Sequence, residues 1–310
     1  MKTNTNQIIT DTAVLSRIPA TINIHMLSRC NMKCGFCHSC FATAGRPLLP
    51  ETDLLSIIHQ IAALPAPVGG RRRKINFVGG EPLLYPRLEK SLSLSRELGL
   101  VTSIVTNGWF LNPDCIKRVA PFLNLVGISI DSIDEASNRR IGRCVRGQVL
   151  TAADYLARIH ALRKAGVPSI KINTVVNSHN IDEDFIPFIR DTRPQRWKLL
   201  QCIRMEGENS KHFEKWQVSP EAFGAFVKRH AAIQFPEFNL VPETEADIRG
   251  TYAIIAPNGC FLDNVDGTPR YSREILKVGV EAAFAEVSFS EAGFSKRQGY
   301  YDAATGNNRR

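Results

Sequence analysis

Short segments in which apolar and polar residues alternate recur along the chain, and longer segments with helical spacing separate them. In the first, residues 21–26, three apolar side chains share one side while Asn23 and His25 share the other, which predicts a strand. Five further segments predict strands at 75–78, 101–105, 125–131, 170–176 and 196–203. Strands that alternate with helices form a parallel sheet with right-handed connections.

Apolar residues at helical spacing, together with end signals, predict the connecting helices. One helix covers 54–61, a second ends at Gly99, and a third begins at Thr151 with Asp154 three positions on, as in a capping box. The repeated strand–helix units predict a partial (βα)6 barrel of the α/β class. In β/α barrels the carboxyl ends of the strands carry the active site.

The pattern weakens after Glu208. A helix that begins at Ser219-Pro220 and a strand over 252–255 are the clearest elements of this last part. Because neither a repeat nor a low-complexity linker interrupts the chain, we predict one α/β domain with a C-terminal extension. Its parts are a polar N-terminal segment at 1–18, the barrel core at 19–208 and the extension at 209–310.

Composition narrows the class of protein. The 310 residues are 44% hydrophobic and 22% charged, as in ordinary soluble globular proteins. No window holds the roughly 18 consecutive apolar residues of a membrane-spanning helix, and the N-terminus lacks the basic and apolar regions of a signal peptide. We therefore expect a cytoplasmic protein without a membrane partner.

The charge of the chain is positive, with 39 Lys and Arg against 30 Asp and Glu and a formal net charge of +9. Such a balance favours an anionic partner. The densest basic run, Arg71-Arg72-Arg73-Lys74, is short and has no interleaved aromatic residues. We expect an exposed loop there and no nucleic-acid partner.

Four of the eight cysteines lie between residues 30 and 40, which favours metal binding by reduced thiols over a disulfide framework. The run Cys30-Asn-Met-Lys-Cys34-Gly-Phe-Cys37 follows the first strand. Three thiolates on one loop can bind a [4Fe–4S] cluster and leave one iron open for chemistry. Two alternatives remain at this point, a structural zinc site and a closed cluster with Cys40 as its fourth ligand.

A second motif, Gly79-Gly80-Glu81-Pro82, follows the second strand and therefore lies at the same edge of the sheet as the cysteines. Glycines let a ligand approach the backbone closely, and the Glu81 carboxylate can bind an ammonium group. The cysteine spacing, the aromatic Phe36 and this motif one repeat later together resemble the radical S-adenosylmethionine (SAM) enzymes.

This resemblance implies that SAM binds the open iron and that the Gly-Gly-Glu-Pro motif holds its methionine amino group. Cys40 then stays a free thiol. The cluster ligands implied in this way are Cys30, Cys34 and Cys37. The implied SAM-binding residues are Phe36, Gly79, Gly80, Glu81, Pro82, Asn107, Ser129 and Arg196.

Segments further along the chain are similar to the viperin family, from around Asn23 to around Tyr301. They lie at 129–132, 141–143, 171–177, 196–202, 206–209, 278–280 and 296–297. Viperins are radical SAM enzymes that convert a nucleoside triphosphate into its 3′-deoxy-3′,4′-didehydro analogue, which terminates chains made by polymerases. The resemblance thus implies a lyase that acts on CTP, UTP or GTP in antiviral defence.

The resemblance also implies a mechanism. An external one-electron reductant, flavodoxin- or ferredoxin-like, reduces the cluster, and cleavage of SAM then gives a 5′-deoxyadenosyl radical that abstracts the 4′ hydrogen of the nucleotide. Loss of the 3′ hydroxyl as water, with one electron and one proton, gives the alkene. No catalytic side chain beyond the cluster ligands is implied.

For the substrate, the resemblance implies two groups of side chains. They are Arg143, Lys171, Lys198 and Arg297, cations suited to a triphosphate, and Asn23 and Asn173, suited to the ribose or the base. Lys171 and Lys198 stand out even without the resemblance, since parallel strands are normally buried on both faces.

Two departures from the family are visible. The amphipathic N-terminal helix of its animal members has no counterpart in this sequence. Ala256-Pro257-Asn258 replace an aspartate-glutamate-tyrosine segment, which leaves open both the preferred base and the presence of a tyrosine proton donor.

Two other functions stay in competition. Radical SAM enzymes that act on another substrate, such as a peptide, usually carry C-terminal cysteines for additional clusters, whereas here only Cys202 and Cys260 follow Cys144. A non-enzymatic iron–sulfur or zinc protein with RNA as its partner would also suit the charge. Zinc without acid-labile sulfide in the purified protein would indicate that second alternative.

Overall fold

The computed structural model describes residues 18–38, 44–67 and 71–300. Cys40, most of the N-terminal segment 1–18 and residues 301–310 lie outside this part of the chain. Within it, no helix combines the length and the apolarity needed to cross a bilayer.

A ten-stranded sheet organises the described residues. Its strands are β1 Thr21–His25, β2 Lys74–Val78, β3 Val101–Thr106, β4 Leu125–Ser129, β5 Ser169–Val176, β6 Arg196–Gln201, β7 Asn239–Glu243, β8 Ala253–Ile255, β9 Cys260–Asp263 and β10 Arg270–Glu274. Their spatial order is β10-β9-β8-β1-β2-β3-β4-β5-β6-β7. From β8 through β1 to β7 the strands pair in parallel, whereas β9 and β10 are antiparallel to their neighbours.

The six strands predicted from the sequence are all present as neighbours in the predicted order, and the parallel sheet is confirmed. The sheet is open, with β10 and β7 as its two edges. It is therefore the predicted partial barrel, with further strands added on both sides.

The C-terminal part of the chain contributes more to this sheet than its weak pattern indicates. β7 pairs with β6 at one side, and β8 pairs with β1 at the other. Pro242 interrupts the strand pattern of β7, but an edge strand tolerates a residue that has no backbone N–H. Both parts of the chain thus build one sheet, and the domain boundary after residue 208 stays a prediction.

Helices connect the strands and pack their apolar faces on the sheet. They are α1 Glu51–Ala62, α2 Leu88–Glu97, α3 Pro113–Val119, α4 Glu135–Arg140, α5 Ala152–Lys164, α6 Ile186–Thr192, α7 Pro220–His230, α8 Glu245–Ile248, α9 Ile275–Val278, α10 Val280–Phe284 and α11 Glu291–Lys296. Two predicted end signals are confirmed. Gly99 follows α2 with a φ of +77°, and the side chains of Thr151 and Asp154 form the capping box of α5.

Alternation along the strands separates the core from a cavity. On β5, Ile172 joins the core, whereas Lys171 and Asn173 line a cavity on the opposite face. β6 alternates in the same way, with Trp197 in the core and Lys198 at the cavity. The polar strand face that the sequence predicts is therefore the wall of a cavity.

The basic run at 71–74 is not the exposed loop that the sequence predicts. Arg73 is only 5% exposed, because its guanidinium donates to the backbone carbonyls of Ile18, Pro19 and Pro65. These bonds tie the residues before β1 to the start of β2. The prediction of a solvated loop is wrong for this arginine.

Candidate functional site

One cavity of about 320 Å³ brings together almost every residue assigned to a site from the sequence. It extends from the amino ends of the strands, at Thr21 and Lys74, to the loops at their carboxyl ends. The predicted residues that line it are Asn23, Cys30, Cys34, Phe36, Cys37, Gly79, Gly80, Asn107, Ser129, Arg143, Lys171, Asn173, Arg196, Lys198 and Arg297. Two predicted residues, Glu81 and Pro82, are not part of its lining.

Two glycines seat the cysteine loop, residues 30–37, against its neighbours. A Cβ at Gly80 would lie 2.1 Å from the backbone oxygen of Arg29, and the Gly80 N–H donates to the carbonyl of Leu27 over 2.7 Å. On the other side, Gly142 has a φ of +82° and leaves room for the carbonyl of Lys33. A side chain at either position would displace the loop. At Gly80, the group that approaches the backbone closely is therefore the chain segment that leads into the cysteine loop.

Side chains from several elements hold the same loop. The Asn209 amide donates to the carbonyl of Phe36 over 2.9 Å, and the Asn107 amide donates to the side chain of Asn31 over 2.8 Å. The Trp216 ring meets the Phe36 ring edge-on, with 6.2 Å between the ring centres. Residues from both the barrel core and the C-terminal part thus fix the loop.

The cysteine loop offers the donor set of an iron–sulfur cluster. Cys30, Cys34 and Cys37 line the cavity as reduced thiols. Among the described residues, no three metal-binding side chains converge on one single ion, and a cluster needs no such convergence because each cysteine binds a different iron. Burial raises the pKa of Cys34 to about 12, so cluster assembly has to release its proton. The three thiols fit a cluster with one iron open to the cavity.

Glu81 braces two strand ends. Its buried carboxylate accepts from the Thr106 hydroxyl over 2.7 Å and from the backbone N–H groups of Asn107 and Leu83. These bonds fix the end of β2 to the end of β3. Contact of this carboxylate with the ammonium group of SAM stays a prediction, and the two glycines of the motif form the cavity wall here.

Arg143 lies beside the cysteine loop. Its guanidinium donates to the Asp131 carboxylate and to the carbonyl of Ser129, each over 2.6 Å. It also lies 3.9 Å from the sulfur of Cys34. Asp131 in turn accepts from the backbone N–H of Val175. This buried pair orients groups next to the cluster ligands, and a contact of Arg143 with the triphosphate stays a prediction.

The other cations form what we call the cationic wall, which consists of Lys171, Arg196, Lys198 and Arg297. Lys171 and Arg196 are register partners on β5 and β6, and the Arg196 guanidinium donates to the backbone carbonyls of Arg297 and Gln298. Burial, with Arg196 and Arg297 nearby, lowers the pKa of Lys171 to about 7. Arg196, assigned to SAM from the sequence, thus lies among the cations assigned to the substrate.

Two residues that the sequence does not single out complete this wall. Glu243, at the end of β7, is fully buried and lies 2.5 Å from Lys198 and 3.7 Å from Arg297. Burial opposes ionisation of Glu243, but these two cations outweigh it and hold the pKa of the carboxyl below its usual range. The Arg297 guanidinium stacks on the Tyr252 ring, 3.6 Å from its centre, and the Tyr252 hydroxyl lies 2.7 Å from the Lys198 ammonium.

Across the sheet, β1 to β3 present a row of amide and hydroxyl groups to the cavity. The Asn76 amide donates to Asn23 over 2.8 Å, and the Ser103 hydroxyl donates to Asn76 over 2.9 Å. The three residues are register partners on neighbouring strands. Only Asn23 of these three is predicted from the sequence, although Lys74 and Asn76 alternate with Ile75 and Phe77 along β2 and so share its polar face.

Comparison with known proteins identifies the family. The model of the radical SAM superfamily matches residues 24–192. A relative from Flammeovirga pacifica, named S-adenosylmethionine-dependent nucleotide dehydratase, is 34% identical over 92% of this chain and 97% of its own. One of the same name from Lacinutrix mariniflava is 35% identical over 95% of this chain, which spans 60% of that protein. The S-adenosylmethionine-dependent nucleotide dehydratase RSAD2 of Siniperca chuatsi is 34% identical over 91% of this chain and 79% of its own.

Solved structures share the fold. Native anSMEcpe with bound AdoMet has a TM-score of 0.63 at 17% identity, over 89% of this chain and 82% of that chain. Streptococcus suis SuiB bound to S-adenosylmethionine has a TM-score of 0.57 at 14% identity, over 90% of this chain and 67% of that chain. At such identities the likeness establishes the fold and nothing about the substrate.

The superfamily uses a [4Fe–4S] cluster and SAM, and the cysteine loop with its glycine-lined wall fits both. The relatives match nearly the whole chain and have a more specific name than the superfamily, so they identify the family within it. The chain belongs to the radical SAM superfamily and, within it, to the S-adenosylmethionine-dependent nucleotide dehydratases that include RSAD2, the viperins.

Proposed function

We propose that this enzyme converts a nucleoside triphosphate, CTP, UTP or GTP, into its 3′-deoxy-3′,4′-didehydro analogue, a chain-terminating antiviral nucleotide. The observation that carries the proposal is the cationic wall. Its four basic side chains line the same cavity as the cysteine loop, and one carboxylate, Glu243, forms ion pairs with two of them, Lys198 and Arg297. Buried charges are stable when they are paired, so this surplus of positive charge favours an anionic ligand.

A triphosphate matches the wall in charge and in geometry. At neutral pH a triphosphate carries about as many negative charges as the wall has basic side chains. Arginine presents a planar fork that binds phosphate oxygens in pairs, and lysine adds a point charge. Stacking on Tyr252 fixes the plane of the Arg297 guanidinium, which reduces the conformational freedom lost when phosphate binds.

Positions along β5 support attack on the sugar. Lys171 and Asn173 lie two residues apart on one face, which separates them by about 6–7 Å. Asn173 is nearer to the carboxyl end of the strand, where the cysteine loop lies. Phosphates bound at Lys171 would therefore leave the ribose near Asn173, between the cationic wall and the cluster ligands.

The cofactors, when bound, supply the radical that removes the 4′ hydrogen. The 3′ hydroxyl then leaves as water, and one electron and one proton complete the balance, so that a 3′,4′ double bond forms. The side chains of the protein supply position. The cationic wall holds the phosphates, while Asn173 and the row formed by Asn23, Asn76 and Ser103 face the sugar hydroxyls.

An anaerobic assay tests the proposal. Incubation with SAM, dithionite and CTP, UTP, GTP or ATP is expected to release 5′-deoxyadenosine together with a nucleotide lighter by one water, both measured by mass spectrometry. The corresponding nucleosides serve as controls, because they lack the anion that the cationic wall binds. If no triphosphate raises 5′-deoxyadenosine above the level with SAM alone, the substrate assignment is wrong.

Lys171 gives the proposal a pH signature. Its pKa of about 7 results from burial and from Arg196 and Arg297, against which Glu243 acts in the opposite direction. At pH 8 the lysine is therefore mostly neutral before nucleotide binds. A triphosphate raises the pKa of Lys171, so binding takes up a proton. Nucleotide affinity is expected to fall above pH 7, by up to about tenfold per pH unit.

Titration calorimetry at pH 8, in buffers that differ in ionisation enthalpy, measures this proton uptake directly. The triphosphate itself is fully ionised at this pH and takes up none. An arginine at position 171 stays charged throughout this pH range, so Lys171→Arg should remove the part of the uptake that is due to Lys171. The same uptake in both proteins, or its absence from the wild type, would contradict this account of Lys171.

A further inference from the structure

The proposed nucleotide would neutralise the cations inside the cavity. Further cations lie near the cysteine loop on the outer surface of the protein. Arg29 and Lys33 belong to the loop or directly precede it, and both are exposed. Arg140, also exposed, precedes Ile141, whose carbonyl accepts from the N–H of Gly35 over 3.0 Å. Three exposed cations thus lie on or next to the loop that holds the cluster.

The segment after β6 adds two lysines. Lys211 follows closely on Asn209, whose amide binds the loop, and Lys215 directly precedes Trp216, which packs against Gly35. Both lysines are exposed. We call this set of exposed cations the basic face; its members are Arg29, Lys33, Arg140, Lys211 and Lys215.

Carboxylates in the same segments leave this face positive. Glu135 and Glu206 each pair with an arginine of their own segment. Asp134, the N-cap of α4, and half-buried Glu208 carry negative charges that count against the five cations of the face without outweighing them. Glu214 is exposed, but it lies between two lysines of the basic face in the short helix Ser210–Lys215. An approaching protein therefore meets net positive charge around the cysteine loop.

We propose that the basic face docks the protein that reduces the cluster, an acidic one-electron carrier of the flavodoxin or ferredoxin type. The face lies on and next to the loop that carries the cluster ligands, so a carrier bound there is brought close to the cluster. Half-buried Trp216 adds an aromatic side chain of the kind that is enriched in protein interfaces. The inference depends on the cluster that the superfamily uses and not on the identity of the nucleotide.

The transfer balances as one electron without a proton. The reduced carrier loses one electron, and the [4Fe–4S] cluster gains it. Opposite charges steer such partners together and raise association rates by about 10- to 1,000-fold at low salt. At physiological ionic strength the charges are screened over about 8 Å, so the advantage falls as salt rises.

Charge reversal in the holoenzyme tests the proposal. In the triple variant Arg140→Glu, Lys211→Glu and Lys215→Glu, the second-order rate constant for cluster reduction by reduced flavodoxin should fall at least about tenfold at low salt. Stopped-flow absorbance under anaerobic conditions measures it without any nucleotide. Iron content and complete reduction by excess dithionite verify that the variant retains its cluster.

A second triple variant is the matched control. Lys117→Glu, Lys164→Glu and Lys228→Glu make the same change in net charge on exposed lysines near the ends of α3, α5 and α7, where these helices return to the amino ends of the strands. Its rate constant should fall clearly less than that of the first variant at low salt, since these charges lie far from the docking site, and should stay within about twofold of wild type at about 0.15 M salt, where distant charges are screened. Equal losses in both variants, or none in the first, would overturn the proposal. The nucleotide assay with dithionite tests the substrate separately.

Discussion

Replacing Cys34 by alanine is expected to remove the cluster and all activity. Cys30, Cys34 and Cys37 are the ligands that the loop offers, and two thiolates would leave a second iron without a protein ligand. Iron and acid-labile sulfide in the anaerobically reconstituted protein should fall to background, and the release of 5′-deoxyadenosine should stop with them.

Two other cysteines provide controls. Cys202 is buried beside Phe36 and Ile141, next to the same loop, and Cys40 follows Cys37 by three positions. Alanine at either position is expected to keep both iron and sulfide. Loss of the cluster in Cys40→Ala would instead indicate a closed site with a fourth thiolate. Zinc without sulfide in the wild-type protein would exclude radical chemistry altogether.

Lys198→Met is expected to weaken both the fold and nucleotide binding. The side chains of Lys198 and Glu243 are 8% and 0% exposed and lie 2.5 Å apart. Removing one member of a buried ion pair costs about 3–5 kcal/mol, and the remaining contacts of Glu243 with Arg297 and Tyr252 favour the lower end. Loss of a charge-assisted phosphate contact should weaken triphosphate binding by about 10- to 100-fold. Urea unfolding and titration calorimetry measure the two effects.

The double variant Lys198→Met, Glu243→Gln separates them. The neutral amide removes the stranded charge, so most of the stability should return, while affinity stays low because the phosphate contact is still missing. Glu243→Gln alone removes the nearest negative charge and should tighten triphosphate binding. If affinity recovered in the double variant, Lys198 would act only as the partner of Glu243 and would not contact the nucleotide.

The barrel core could be predicted because each of its elements carries its own local signals. Alternation along β5 placed Lys171 and Asn173 on the face that lines the cavity, and the Thr151 capping box marked the start of α5. The cysteine loop was equally local, since its ligands lie within eight consecutive residues. Such features depend on spacing, which the sequence states directly.

Partners that come from distant parts of the chain could not be predicted in this way. Arg143 and Arg196 are both buried arginines, yet Arg143 binds Asp131 beside the cysteine loop and Arg196 binds backbone carbonyls close to residue 297. Their residue type does not distinguish these surroundings. The prediction that Arg73 lies at the surface is wrong for the same reason, because the carbonyls that bury it lie on other segments.

For Glu243, the charge balance predicts that a carboxylate is present but not which residue supplies it. Several lysines and arginines on buried strands require a carboxylate nearby, because a buried cation without a partner is unstable. The sequence therefore indicates that such a carboxylate exists, but not which of its 30 acidic residues supplies it. Pro242 also conceals the edge strand that carries this glutamate.

The bonds from Arg196 to the carbonyls of Arg297 and Gln298 have a consequence for biosynthesis. Chains fold from the N-terminus as the ribosome makes them, so the three thiols are available once residue 37 has emerged. The cationic wall is complete only after residue 297. A chain that terminates before this residue keeps the three cysteines but lacks Arg297, to which we assign the phosphates. If the proposed function is correct, such a chain carries the ligands for the cluster without a complete site for the nucleotide.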